Sequence, residues 1–587
     1  MANRAFRQLT HEVDVCVVGG GMAGLTAALA AARHGADVAL VQDRPVLGGN
    51  ASSECRVHVQ GADRHNKFPN MRETGILEEL RMENLYRNPQ RSFSVWDTIL
   101  YEKLRLHPHI TLLLNCSCNE AEMDGDRIAT ISGWQTTTET RHTVRAPLFA
   151  DCSGDGVLAP LTGAEYRMGR EGRDEFGESI APEKADDRTM GMTCLFQTRK
   201  HDAPVPFIPP HWAETFDHCD ELPGGERRHR WFEMGYWWVE LGGEGHSIHD
   251  TERLRHELLA LAYGVWDHVK NHCPHHSEAA ANWALDWVQF LPGKRESRRF
   301  VGDHILTQND IEAEGRFDDL VAYGGWTMDD HHPAGFRAVE LGEPATVWHP
   351  APSPYGIPYR CLYSRNIANL MFAGRNASCT HAAMSSTRVM GTACSMGQAV
   401  GTAAAMAAAR GTGPRGLLDH VGELQQALLD DDCYLPWIVQ ELPELTRSAG
   451  LESSRGDPEP VRDGINRPVA EDTHAWDCRA GDTITYSFDR PRMVSEVALV
   501  LDSGLDQNVT MSYHQADDQR TSLPDAMPRA FRIDGRIEHD WRRLIHQEAN
   551  HQRHVRYPVD AELTGVRFTL GDTWGADESR VYAFLIR

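Results

Sequence analysis

No C-x-x-C pair occurs among the 13 cysteines, an odd number scattered along 587 residues. Scattered free thiols fit a reducing compartment and argue against a disulfide framework. Cys16, Cys152 and Cys394 sit in apolar stretches, as small core residues do. No apolar run approaches the length of a membrane span, and the opening MANRAFRQLTHEV has no signal-peptide core, so a cytoplasmic protein is expected. Basic residues are in short supply, 59 Lys and Arg against 84 Asp and Glu, for a net charge of −25. That balance argues against a nucleic-acid backbone or an anionic membrane as partner. What remains is globular, 41% hydrophobic and 24% charged, and long enough for two or three domains.

The most informative stretch is Val13 to Gln42. Val13, Val15, Val17 and Val18 form a β-branched run suited to a parallel strand buried on both faces. It breaks into Gly19-Gly20-Gly21-Met22-Ala23-Gly24, a G-x-G-x-x-G, and an alanine-rich helix follows up to His34-Gly35. A second strand, Val38 to Val41, ends in Gln42-Asp43. Gly19 allows the tight turn, Gly21 lets backbone approach a pyrophosphate, and Gly24 lets helix pack on strand. The phosphate charge is expected at the positive helix N-terminus, opened by Met22 and Ala23. The position that usually carries a ribose-binding acid holds Gln42, whose amide can still bond a hydroxyl; the nearest acid is Asp43. Asp43, Arg44, Gly48, Gly49, Asn50 and Ser52 lie in a glycine-rich loop over 43–53. Such a loop wraps amides around a phosphate or ribitol, or is a surface turn.

Glu54, Arg56 and His58 alternate as on one face of a strand, either toward substrate or as a solvated edge. Residues 70–106 have helical period, and Ile110–Leu114 with Arg127–Trp134 read as strands of a small antiparallel sheet. Thr143–Ala150 leads into Asp151-Cys152-Ser153-Gly154-Asp155-Gly156, a second strand end with a glycine turn.

Three motifs now stand in order: the G-x-G-x-x-G, the strand end at Asp151–Gly156, and Leu370-Met371-Phe372-Ala373-Gly374-Arg375 before a helix of small residues. In this the chain resembles flavoproteins of the glutathione-reductase-like fold, and most closely the family of FAD-dependent oxidoreductases. The loops GGNASSE (48–54), RESRRFVGDHILTQND (295–310), WTMDDHHPAGF (326–336), YGIPYR (355–360) and AGRNASCTHAAMSSTRVMGTA (373–393) carry the likeness over about 12–440. The resemblance implies an α/β fold. A Rossmann-like FAD-binding domain would take 1–164 and 361–445, with an inserted α+β substrate domain at 165–360. It also implies FAD as cofactor, on the residues named above together with Asp155, Gly374, Arg375 and a helix starting at Ser385 or Ser386. Several relatives have an acid where Arg375 stands. In related flavoproteins the helix N-terminus stabilises the reduced flavin through its dipole.

For the chemistry, His381 lies a few residues beyond the Ala373-Gly374 strand end, and His331 and His332 are the next choices as base. Arg388, Arg298 and Arg56 are candidates to orient a polar small-molecule substrate, with His58, Trp326 and Asp330 beside them. Lys294–Arg299 is either a solvated run or a set of fixed cations. Trp231, Trp237, Trp238, Trp266, Trp283, Trp287 and Trp326 suit sugar stacking or a wet core equally. His272-Cys273-Pro274-His275-His276 reads as a solvated loop, and no metal site is expected.

A polar linker at 446–460 precedes an expected β-sandwich at 461–587, with strands at 483–488, 494–501, 509–513, 565–570 and 581–586. The sandwich is similar to galactose-binding-like modules, or serves structure or homo-oligomer formation. Three functions stay open. They are oxidation of a carbohydrate CH–OH by hydride transfer to flavin, reduction of an activated C=C bond, and sugar binding beside a non-catalytic flavin domain.

Overall fold

The computed structural model describes residues 6–511 and 519–587, the side chain of Glu226 excepted. The chain divides into two compact units, one of residues 6–61, 96–420 and 511, the other of 62–95, 421–510 and 519–587. Among the described residues no helix is long and apolar enough to cross a membrane.

The first unit is built on a parallel sheet in the order Leu370–Phe372, Leu148–Asp151, Val15–Val18, Val38–Val41, Ile110–Leu113. Every residue of the Val15–Val18 and Val38–Val41 strands is buried, as β-branched runs covered on both faces should be. Ile110–Leu113 is therefore a parallel edge strand and not part of a small antiparallel sheet. The antiparallel meander is formed instead by Cys116–Asp124, Arg127–Gln135 and Thr140–Arg145, with Arg7–Glu12 added in parallel. Val18, Phe149, Ile131, Val144 and Phe372 share one core between these two sheets.

Two helices lie close on the parallel sheet, Met22–Arg33 and Met390–Arg410. A Cβ on Gly397 would fall 2.1 Å from the Ala23 carbonyl oxygen, and one on Gly401 2.0 Å from that of Ala27. Small residues on both helices make the crossing possible. The expected single helix from Ser385 is two, His381–Thr387 and Met390–Arg410, broken at Arg388-Val389. Thr380 caps the first by accepting from the Ala383 N–H at 3.2 Å, so neither Ser385 nor Ser386 is the cap. Residues 165–360 hold short strands and the Thr251–Asp267 helix. Trp238 and Trp266 are core residues there, packed with Phe196 and Tyr236.

The second unit is an antiparallel β-sandwich. Thr483–Leu501 and His554–Thr573 are its longest strands, and Pro528–Ile537, Asp540–Gln547, Trp476–Cys478 and Ser579–Ile586 complete the path. The two strands expected at 483–501 are thus one, bulged after Ser487 and again after Val494. Of the strand expected at 509–513, residues 509–511 are not strand and 512–513 lie outside the described residues. The expected linker is structured. Gly450–Ser453 pairs with the Thr483–Leu501 strand, and the Thr446 hydroxyl donates to the Ile586 carbonyl at 2.9 Å. This unit also owns residues 62–95, beyond the expected domain boundary. Met82 and Leu85, on the helix Ile76–Arg87, pack with Val509, Leu523 and Met527. Arg72 is fully buried, paired with Glu78 and bonded to the backbone carbonyls of Ser503, Gly504 and Gln507.

Candidate active site

Glycine shapes the first half of the site. Gly19 leaves the Val15–Val18 strand at φ +101°, and a Cβ there would lie 2.5 Å from the Cys152 backbone. A Cβ on Gly24 would meet the Gly19 carbonyl oxygen at 1.8 Å, whereas at Gly21 the nearest atom would be Gly49 Cα at 3.9 Å. Gly21 precedes the Met22–Arg33 helix, whose first turn has no side-chain cap and no acid. Its N–H groups are left for an anion from outside the chain. Gly48 donates its N–H to the Gly20 carbonyl at 2.8 Å, so the second glycine loop lines the first. Ser52 donates to the Gly49 carbonyl at 2.7 Å, and Asn50 to that of Lys294 at 3.2 Å.

Gln42 takes another role than ribose binding. Its Oε1 accepts from the Gly20 N–H at 2.6 Å and its Nε2 donates to the Val46 carbonyl at 3.3 Å, so both ends of the amide brace the loop. Asp43 and Arg44 form an exposed pair at 3.7 Å. Asp155 is held between Lys294 and Arg375, each at 2.7 Å. Burial opposes its charge, yet the two cations keep the carboxyl far below the usual range. Arg375 also donates to Ser297 Oγ at 3.1 Å, so the residue that replaces an acid beyond Gly374 serves as a clamp.

The run at 294–299 is an inward set of charges. Arg299, fully buried, pairs with Glu296 and with Glu171 at 2.8 Å. Arg295 reaches Glu240 at 3.4 Å, and Arg298 donates to the Asp155 carbonyl at 3.2 Å. On the strand Met328–His331 successive side chains face opposite ways. Asp330 faces His381 Nε2 at 3.1 Å, while Asp329 and His331 face each other at 3.3 Å on the other side. His381 Nδ1 lies 2.8 Å from Glu296 and His331 Nδ1 2.6 Å from Glu240. Arg388 donates to the Asp329 carboxylate at 3.3 Å.

These neighbours decide the protonation states. Burial lowers the basicity of His381, but Glu296 and Asp330 outweigh it and raise its pKa to about 10. His331 is raised for the same reason, with Glu240 and Asp329 overcoming burial. Burial works against the Asp329 charge, and His331, Arg388 and Arg295 bring its pKa down to about 2. His381 is therefore held as an imidazolium at neutral pH, and His331 is more basic than a free imidazole. His332 points to Glu343 at 2.8 Å, outside this cluster.

Other expected residues are placed as follows. Ser386 donates to the Trp326 carbonyl at 2.5 Å and bonds the Tyr355 hydroxyl at 2.6 Å, while Ser385 donates to the Ala382 carbonyl. Residues 54–59 are not a strand, because Arg56 takes φ +54°. The Arg56 guanidinium donates to Gln197 Oε1 at 2.7 Å and lies 4.4 Å from the Trp287 ring centre. His58 is half-buried in the same loop. Glu171, Glu240 and Glu296 were not foreseen; only Glu296 lay inside a quoted motif. Cys273, expected in a solvated loop, is buried.

The family described as FAD dependent oxidoreductase matches residues 14–428. The chain belongs to that family. No curated protein matches this FAD-dependent oxidoreductase. Among solved structures, a geranylgeranyl bacteriochlorophyll reductase-like protein of Thermoplasma acidophilum aligns over 72% of this chain and 86% of its own. Identity is 11% and the TM-score 0.34. A family 32 carbohydrate-binding module from Streptococcus pneumoniae EndoD aligns over 24% of this chain and 97% of its own. Identity there is 11% and the TM-score 0.20. Likenesses this slight carry nothing about function. The cofactor is FAD, and the glycine cradle fits it: Gly19 and Gly24 let helix and strand ends pack closely, Gly21 and Gly49 stay partly exposed where the two loops meet, and Gly374, at φ +100°, brings the third strand end against Ala23.

Proposed function

We propose that this FAD-dependent oxidoreductase oxidises a CH–OH group of a carbohydrate or carbohydrate-derived substrate. When bound, FAD supplies the hydride acceptor. Gly19, Gly21, Gly24, Gly48, Gly49 and Gly374 would hold it, with Asn50, Ser52, Asp155 and Arg375 fixing the loops behind them. The reading is carried by Asp330, whose carboxylate is 24% exposed and fixed as an anion against His381. Asp330 accepts the hydrogen bond of the substrate hydroxyl and takes its proton as the C–H bond breaks. His381 holds that carboxylate in place.

The test is anaerobic mixing with sugars, glycosides and sugar acids, followed by flavin absorbance near about 450 nm. Bleaching by a polyol is expected, and Asp330→Asn should slow it roughly 100-fold while FAD stays bound. A panel that bleaches nothing overturns the reading. One observation favours a second reading, reduction of an activated C=C bond: His381, held protonated, is a ready proton donor. Rapid reoxidation of the reduced enzyme by an unsaturated acid, with no bleaching by sugars, would establish that alternative.

A further inference from the structure

We propose that Cys219, His229, His268 and Cys273 bind a zinc ion in a closed tetrahedral site of the inserted region. Their ligand atoms all lie within 4.8 Å of one another, and His229, His268 and Cys273 are buried. The two Sγ atoms are 3.7 Å apart, Cys219 Sγ lies 3.6 Å from His229 Nε2 and 3.4 Å from His268 Nε2, and His229 Nε2 lies 3.2 Å from Cys273 Sγ. A tetrahedron with Zn–S of about 2.3 Å and Zn–N of about 2.0–2.1 Å has S···S edges near 3.8 Å and S···N edges near 3.5 Å. Those four edges, 3.2–3.7 Å, come close to that figure, and the remaining two are no longer than 4.8 Å. A disulfide, at about 2.05 Å between sulfurs, would need the two cysteines to move together by more than an ångström.

Local structure explains how the four residues meet. The Thr251–Asp267 helix runs on into a π-helical turn, His268–His272, closed by the Cys273 N–H donating to the His268 carbonyl at 2.6 Å. At 3.6 residues per turn, positions five apart would point to nearly opposite faces of an α-helix. An i to i+5 turn sets them one above the other, so His268 and Cys273 face the same way. The His268 ring is oriented from behind, because Nδ1 donates to the Phe216 carbonyl at 2.8 Å and turns Nε2 inward. Cys219 and His229 come from the facing loop, which carries two short 3-10 turns, Cys219–Glu221 and Gly225–Arg227. Two thiolates and two neutral imidazoles would neutralise a divalent ion, and an S₂N₂ tetrahedron selects zinc. The four ligands leave no open position, so the ion is structural: it ties the facing loop to the end of the helix. None of the four belongs to the glycine cradle or to the charged cluster around His381.

Full-length protein purified with its FAD, without chelators or metal-affinity resin, should carry about one zinc per chain by elemental analysis. Cobalt(II) supplied in place of zinc should give the intense thiolate-to-metal absorption and visible d–d bands of a tetrahedral site. Cys273→Ser and His229→Gln should each lose the zinc, and flavin content reports whether the variant remains folded. Zinc-free wild type with no cobalt spectrum overturns the proposal. So does a folded variant that keeps its zinc, or a thiol count under denaturing conditions that is two short, the mark of a disulfide.

Discussion

A histidine between two carboxylates is a charge held in trust by its neighbours, and His381 is the clearest case here. Its pKa stands near 10 in the folded chain, against about 6.5 unfolded. A raised value means that the folded state binds the proton more tightly. The stabilisation is full below about pH 6.5 and fades as pH rises through 10. Asp330 is shifted the other way, with burial outweighed by His381, so its share is present above its ordinary pKa and lost on acidification. The melting-temperature gap between wild type and His381→Gln should therefore be widest near pH 6 and narrow steadily toward pH 10. A flat gap across that range would show that the ring is not held as imidazolium. Gly19, Gly21 and Gly24 were legible in the sequence because each answers a local backbone demand. Glu171 and Glu240 were not, since an acid that becomes the partner of a distant Arg299 or His331 looks like any surface acid until the fold closes. The zinc ligands were hidden for a related reason, because the turn that aligns His268 with Cys273 has no sequence pattern of its own.

Among the elements, the contact between the Met22–Arg33 and Met390–Arg410 helices rests on missing side chains. Gly401→Ala should cost roughly 1–3 kcal/mol, since the new methyl meets backbone that cannot rotate away. Gly422→Ala is the control: it lies on the helix Val421–Asp430 with nothing near its Cβ, and should be neutral or mildly stabilising. Differential scanning calorimetry of the two variants decides; equal melting temperatures would refute the close crossing. The strands and helices of the parallel sheet were readable from their valine runs and alanine periodicity. The break at Arg388-Val389 was not, because both flanking segments have the same small-residue composition. Ile110–Leu113 carries no local mark that distinguishes a parallel edge strand from a strand of the meander.

At the scale of the whole molecule, the chain departs from the first unit after Gly61 and re-enters it at Trp96, having left residues 62–95 in the second. A chain ended after His420 would leave Met82 and Leu85 without Val509, Leu523 and Met527. It would also strip Arg72 of the carbonyls around it. Such a truncation should be insoluble or aggregated, judged by the soluble fraction and by size-exclusion chromatography, and co-expressing residues 421–587 should rescue it. A soluble, monodisperse truncation would contradict this. The sandwich was foreseen from alternating strands. Its claim on residues 62–95 was not, because helical periodicity shows that a face must be covered and is silent about what covers it.

That excursion sets a schedule for biosynthesis. The ribosome delivers the Ile76–Arg87 helix early, and Val509, Leu523 and Met527 follow only after about 420–440 more residues. At roughly 5–20 residues per second the helix waits about 20–90 s before its apolar side can be covered. For that interval Met82 and Leu85 are an adhesive surface on a tethered, half-made chain. The protein's dependence on chaperones should therefore be greatest while residues 96–527 are being translated, and slower translation of that span should lower the yield of folded enzyme.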